Sequence, residues 1–197
     1  MTLLVLFIST CSNESRKNNG CSKFSNEVYL TEDLEKYDFD LTEMLEYYLK
    51  KFDGVSIKED KIESYQLMHY STHNYGRLIK IERNTKGAKM TVKCIENLEA
   101  GYYCTEAEIL IDISDWHTLQ SMIYEFNYWT ENQIEINTGY LDGYAYFLEG
   151  KRPQAKECGK KHYNFAVRIN PEYDKIAALC KEIISFEEMI TNRMNIN

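Results

Sequence analysis

Between Asp40 and Gly54, apolar side chains fall at Leu41, Met44, Leu45, Tyr48, Leu49 and Phe52, a spacing that places them on one stripe of an α-helix. Glu46, Lys50 and Lys51 occupy the opposite side. Asp40 followed by Glu43 has the form of a capping box, and Gly54 is placed to end the helix. From Ile62 to Ile113 the period shortens toward two. Strands are predicted over residues 64–70, 77–83, 88–97 and 102–113, with glycine turns at Gly87 and Gly101. In the last of these, Ala107, Ile109, Ile111 and Ile113 alternate with Glu106, Glu108 and Asp112, so one face is dry and the other wet. The four segments predict an antiparallel meander.

Helical spacing returns after Ser114, which is placed as a cap for Trp116, Leu119, Met122, Ile123, Phe126 and Trp129. Residues 134–136 are read as a loop or a short strand. Asp142-Gly143 leads into another at 144–149, and a last one follows at 163–169. Asn170-Pro171 is read as the start of the closing helix, whose apolar side carries Ile176, Leu179, Cys180, Ile183, Ile184 and Phe186. The expected fold is therefore α+β: a mostly antiparallel sheet of about six strands with helices packed on one face.

Composition changes this picture little. The 197 residues are 44% hydrophobic, which excludes general disorder and suits one domain plus a tail. There are 16 Tyr against 2 Trp, and tyrosine suits half-buried strands and surfaces that are dry on one side. The net charge of -8 repels polyanions, so nucleic acid is not an expected partner. The local exception is Lys151, Arg152, Lys156, Lys160 and Lys161, read as a solvated loop or an anion-binding loop.

The start of the chain has a different character. Leu3 to Ile8 are all apolar, too few for a membrane span, which needs about 20 residues. They look like the hydrophobic part of a secretory signal, and Ile8-Ser9-Thr10-Cys11 resembles the lipobox of bacterial lipoproteins. That resemblance implies that Cys11 becomes the acylated first residue of an envelope protein anchored in a membrane. Residues 12–20 contain no apolar side chain, as a tether requires. The expected division is a signal-peptide-like segment at 1–10, a lipidated tether at 11–30 and one domain at 31–197. The alternative is that residues 3–8 form an edge strand or a buried start of the fold.

An exported domain permits disulfides, and Cys94 with Cys104, flanking a predicted turn, is the candidate pair. Cys158 and Cys180 are a second pairing, and buried free thiols are the alternative for all four. No metal site is expected: Cys158 and His162 lack a second ligand pair, and His69 and His73 straddle a strand end. No phosphate loop or nucleophile elbow is present, so no cofactor is expected.

Further landmarks lie between Arg77 and Glu187. They are Arg77 and Arg83 on one strand, Lys93, Gly101-Tyr102, the Trp116 helix, Leu141-Asp142-Gly143, Phe147-Leu148-Glu149-Gly150, His162-Tyr163, Val167-Arg168 and Asn170-Pro171. Their order resembles an uncharacterised family of small exported bacterial proteins. The resemblance implies an α+β fold and no activity.

The densest polar set is Asp142, Glu149, His162 and Arg168 on the final predicted hairpin. Glu149 beside His162 is what general-base chemistry needs, and paired charges at strand ends are also ordinary register devices. Three functions follow. The first is a membrane-anchored lipoprotein with a non-enzymatic domain that binds a protein or glycan. The second is an acidic interaction protein of the antitoxin or immunity type. The third is a hydrolase using Glu149 and His162.

Overall fold

A computed structural model describes residues 41–71, 75–97, 102–131, 134–136, 143–158, 162–171 and 174–195. The leading helix α1 (Leu41–Lys51) forms where its stripe predicts. It closes in a Schellman turn, with the Gly54 N–H on the Leu49 carbonyl at 2.9 Å and the Asp53 N–H on that of Lys50 at 3.2 Å. The left-handed residue of this turn is Asp53, at φ 50°, and not Gly54. The proposed cap Asp40 lies outside the described residues.

The four predicted strands are β1 (Ser64–Ser71), β2 (Tyr75–Asn84), β3 (Gly87–Asn97) and β4 (Tyr102–Asp112). Each pairs antiparallel with the next, as the meander requires. Asn84 Oδ1 accepts from the Lys86 N–H at 2.8 Å to tighten the β2–β3 turn. Gly87 follows it at φ 152°, where a Cβ would stand 2.2 Å from the Ile111 carbonyl oxygen. Only glycine lets β4 approach so closely.

From β4 the chain enters α2 (Ile113–Glu125). The cap is Asp112, whose side chain accepts from the Asp115 N–H at 2.9 Å, rather than Ser114. α2 carries the chain from the β4 edge of the sheet to β5 (Ile134–Ile136) at the other edge. β6 (Tyr144–Lys151) then enters beside β1, and β7 (Tyr163–Ile169) fills the place between β6 and β5. The last helix α3 (Lys175–Asn195) begins later than Asn170-Pro171 suggests. Asp174 is the residue that accepts from its first turn, at the Ala177 N–H, 2.9 Å.

The fold is α+β, with two corrections to the expected sheet. It has seven strands in the order β4-β3-β2-β1-β6-β7-β5, and it is mixed, because β5 runs parallel to β7. Helices also cover both faces. α2 and α3 pack Trp116, Leu119, Ile123, Leu179 and Ile183 against Tyr65, Leu67, Ile79, Ile81, Met90 and Leu148. On the other face α1 packs Leu45, Leu49 and Phe52 against Met68, Leu78, Phe147, Phe165 and Val167. The reason lies in the central strands. Residues 64–68, 145–150 and 164–168 are buried without alternation, so both sides of them need cover. Beyond the reach of α1, the outer face of β2–β4 carries Lys80, Glu82, Lys89, Lys93, Glu106 and Glu108; Lys89 meets Glu82 and Glu108, and Lys93 meets Glu106, across strands at 3.0–3.9 Å, while Lys80 meets Glu82 along β2 at 3.0 Å.

Candidate ligand-binding cleft

The site is built where strand ends meet the segment that follows α2. That segment is held by a buried polar lock. Tyr128 is fully buried, and its hydroxyl donates toward the main-chain oxygens of Leu148 and Asn164 at 3.0 and 2.9 Å. The Asn164 amide returns a bond to the Tyr128 carbonyl at 2.6 Å. Gly150 makes the approach feasible, since a Cβ there would stand 2.6 Å from the Tyr128 ring. The lock leaves the next residue, Trp129, at the surface end of the core with 9% of its area exposed.

Trp129 forms one wall of a cleft of about 230 Å³ at the end of β1, β2 and β6. Its other walls are Tyr65 and Glu63 from the start of β1, Arg83 from β2, Gln120 and Tyr124 from α2, and Arg152 and Gln154 beyond β6. The Arg152 guanidinium lies over the Trp129 ring, 3.8 Å from its centroid. Glu63 organises the opposite wall. Its Oε1 accepts from the Tyr65 hydroxyl at 3.0 Å and from Gln120 at 3.1 Å, while Oε2 faces Arg83 at 3.6 Å. The Arg83 N–H also donates to the Glu63 carbonyl at 2.9 Å. Burial pushes the Arg152 pKa down, and burial followed by the nearby Glu63 charge pushes the Tyr65 phenol up. Tyr124 is 70% exposed at the mouth.

The residues singled out in the sequence are distributed differently. Lys151 and Arg152, neighbours in the basic run, turn to opposite faces. Lys151 donates to the Lys58 carbonyl and sits over Tyr163 on the α1 side, whereas Arg152 joins Trp129. Pro153–Cys158 is a 3₁₀ turn rather than an open loop. Lys160, Lys161 and the side chain of Lys156 lie outside the described residues.

Glu149 is 1% exposed, and burial raises its pKa against the pull of its donors. Those donors are the Ser56 hydroxyl, the Gln66 amide at 2.8 Å and the Tyr163 hydroxyl at 2.8 Å. His162 is not among them. The strand runs two residues past the predicted end, so the register sets Glu149 opposite Phe165 and carries it inside the sheet. His162 contributes its carbonyl oxygen to the Arg152 N–H at 2.9 Å. Arg168, also 1% exposed, pairs with Asp174 at 2.5 Å and Glu135 at 3.6 Å. Asp142 lies outside the described residues, as do Cys11 and His73. Cys94 is half-buried and stands opposite Thr105 in the strand register, and Cys180 is a buried free thiol whose pKa burial pushes up. The side chains of Cys104 and Cys158 lie outside the described residues. His69 packs its ring 4.9 Å from Tyr146, and His117 is exposed beside Gln120.

Glu63, Tyr65, Gln120 and Tyr124 escaped the sequence reading because they come from separate elements. Trp129 was legible only as part of the apolar side of α2, although that helix ends at Glu125. No helix among the described residues is long and apolar enough to cross a membrane, and no group of three or more His, Cys, Asp or Glu there is placed to hold a metal ion. Comparison with protein families, with characterised proteins and with solved structures finds no match.

Proposed function

We propose that this chain is a bacterial envelope lipoprotein whose domain binds a ligand rather than transforming one. Cys11 carries the lipid, residues 12–20 act as the tether, and the cleft around Trp129 is the binding site. The observation that carries the binding reading is the convergence of Arg83, Arg152, Tyr124 and Trp129 on one solvent-open cleft. Ligand sites characteristically combine flat apolar walls with a few placed polar groups. By contrast, the most deeply buried candidate acid–base group, Glu149, is enclosed by Ser56, Gln66 and Tyr163. The donors around it are a hydroxyl, an amide and a phenol, a set that holds a buried carboxyl in place.

Two experiments test the two halves. Metabolic labelling with a fatty-acid analogue should mark the wild type and leave Cys11→Ala unmarked; equal labelling of both, or none of either, overturns the anchor. For the binding half, the Cys11→Ala chain is mixed with washed envelope material and sedimented. Retention should fall in Tyr124→Ala and in Arg83→Gln with unchanged thermal stability. Retention indifferent to both substitutions, or absent from the start, overturns binding at the cleft.

A further inference from the structure

Resting on that binding reading, we infer that the cleft takes a carboxylate-bearing sugar residue of a glycan, with its acid group at Arg152 and its ring against Tyr124. Four features of the site point there. The first is charge. Among the described lining residues, two guanidinium groups face one carboxylate, in a chain whose formal charge is -8. That carboxylate, Glu63, already receives Tyr65, Gln120 and Arg83. A net-acidic molecule that keeps a cationic cleft has a local preference for anions against its own long-range field.

The second feature is the geometry of Arg152. The guanidinium, a planar fork of N–H donors, lies over the Trp129 ring with its carbon 3.8 Å from the centroid. A planar oxyanion is met edge-on by such a fork, with the two groups coplanar. Trp129 follows the buried lock residue Tyr128 and is itself 9% exposed, so Arg152 is placed against a well-anchored ring.

The third feature is the rest of the lining. Gln154 carries both a donor and an acceptor, as sugar hydroxyls do, beside Gln120, whose amide already bonds Glu63 and His117. Tyr124 presents an exposed ring, whose electron-rich face suits the polarised C–H bonds of a pyranose.

The fourth feature is size and position. About 230 Å³ is below the roughly 300 Å³ at which ligand pockets usually begin, so it suits one ring of a longer chain. The cleft also stands at the ends of β1, β2 and β6, all interior strands. An extended acidic peptide would find no open ladder to join there.

The test titrates the purified full chain with a uronic-acid trisaccharide, with its carboxyl-reduced counterpart and with triglutamate, following tryptophan fluorescence and heat. The acidic saccharide should bind about tenfold or more tightly than its reduced form, the ratio one charge-assisted hydrogen bond supplies. Arg152→Gln should abolish that ratio, and Tyr124→Ala should weaken both saccharides together. Arg83→Gln, at a half-exposed position, serves as the second charge variant should Arg152→Gln unfold. Equal binding of the acidic and reduced saccharides overturns the inference, as does preference for triglutamate or no binding of any saccharide. Retention on envelope material that still depends on Tyr124 would then leave the binding module standing with a different ligand.

Discussion

Tyr128 and Asn164 hold each other reciprocally: the Asn164 amide donates to the Tyr128 carbonyl at 2.6 Å, and the Tyr128 hydroxyl reaches the Asn164 carbonyl at 2.9 Å. Both residues are essentially without exposed area. The pair joins the segment after α2 to the β6–β7 hairpin, two elements distant in sequence. It therefore fixes both the fold and the wall of the cleft.

Tyr128→Phe removes the hydroxyl while keeping the ring against Gly150. Loss of a buried hydrogen-bonding group of this kind costs about 1–3 kcal/mol. For a domain of this length, each kcal/mol lowers Tm by roughly 2–4 °C. Calorimetry should show that loss, and Asn164→Ala, which deletes the return bond to the Tyr128 carbonyl, should show one of similar size. An unchanged Tm in both variants would contradict the reciprocal lock.

Arg168 and Asp174 predict an asymmetry. Arg168 is buried and Asp174 is both its closest carboxylate and the residue that accepts from the first turn of α3. Asp174→Ala should cost about 3–5 kcal/mol, because it takes the 2.5 Å carboxylate from a buried guanidinium, leaving Glu135 at 3.6 Å, and removes a helix cap. The pair Arg168→Met with Asp174→Ser removes the buried charge and keeps a capping oxygen, so it should be more stable than Asp174→Ala alone. Denaturant unfolding decides the order.

Glu149 gives stability a slope with pH. Burial raises its folded pKa, so the folded state holds its proton more tightly than the unfolded chain does. Its contribution is full below the unfolded value of about 4.3 and declines as pH rises through the folded value. The stability of the wild type relative to Glu149→Gln should therefore fall as pH rises above about 4.3. A fixed offset from rearranged Gln66 donors would shift the comparison without tilting it. A difference that is flat across the range would contradict a raised carboxyl.

His69 tilts stability the other way. Burial, with help from the Arg77 charge, lowers its pKa from 6.5 to about 4. The neutral ring is favoured in the fold, so its contribution is present above the unfolded value and is lost as pH falls toward 4. The imidazole proton resonances of His69 should titrate with a midpoint near 4 in the folded protein. A midpoint near 6.5 would show an exposed ring and contradict the packing against Tyr146.

Much of the architecture was legible because it is written locally. The stripe Leu45-Leu49-Phe52 is a helix wherever it is placed, and Ile109-Ile111 alternating with Glu108 and Asp112 is a half-buried strand. The boundaries at Asp112 and Asp174 were missed for a different reason. Several residues near each helix start can cap, and the one that does so is chosen by where the preceding backbone arrives.

The cleft was hardly legible at all. Glu63 and Arg83 pair because β1 and β2 form a hairpin, but Gln120 and Tyr124 reach them only once α2 crosses the sheet. Lys151 and Arg152 looked like one basic patch in the chain. A strand puts successive side chains on opposite faces, and that geometry divides them.

The order of polar and apolar residues thus determined which segments became helix and strand, since that choice depends on neighbours within a few positions. Tertiary structure alone decided that β6 and β7 lie between β1 and β5, that the central strands need cover on both faces, and that Arg152 meets Trp129. These outcomes depend on how distant segments share burial, an energy that belongs to the assembled sheet and to no stretch of sequence by itself.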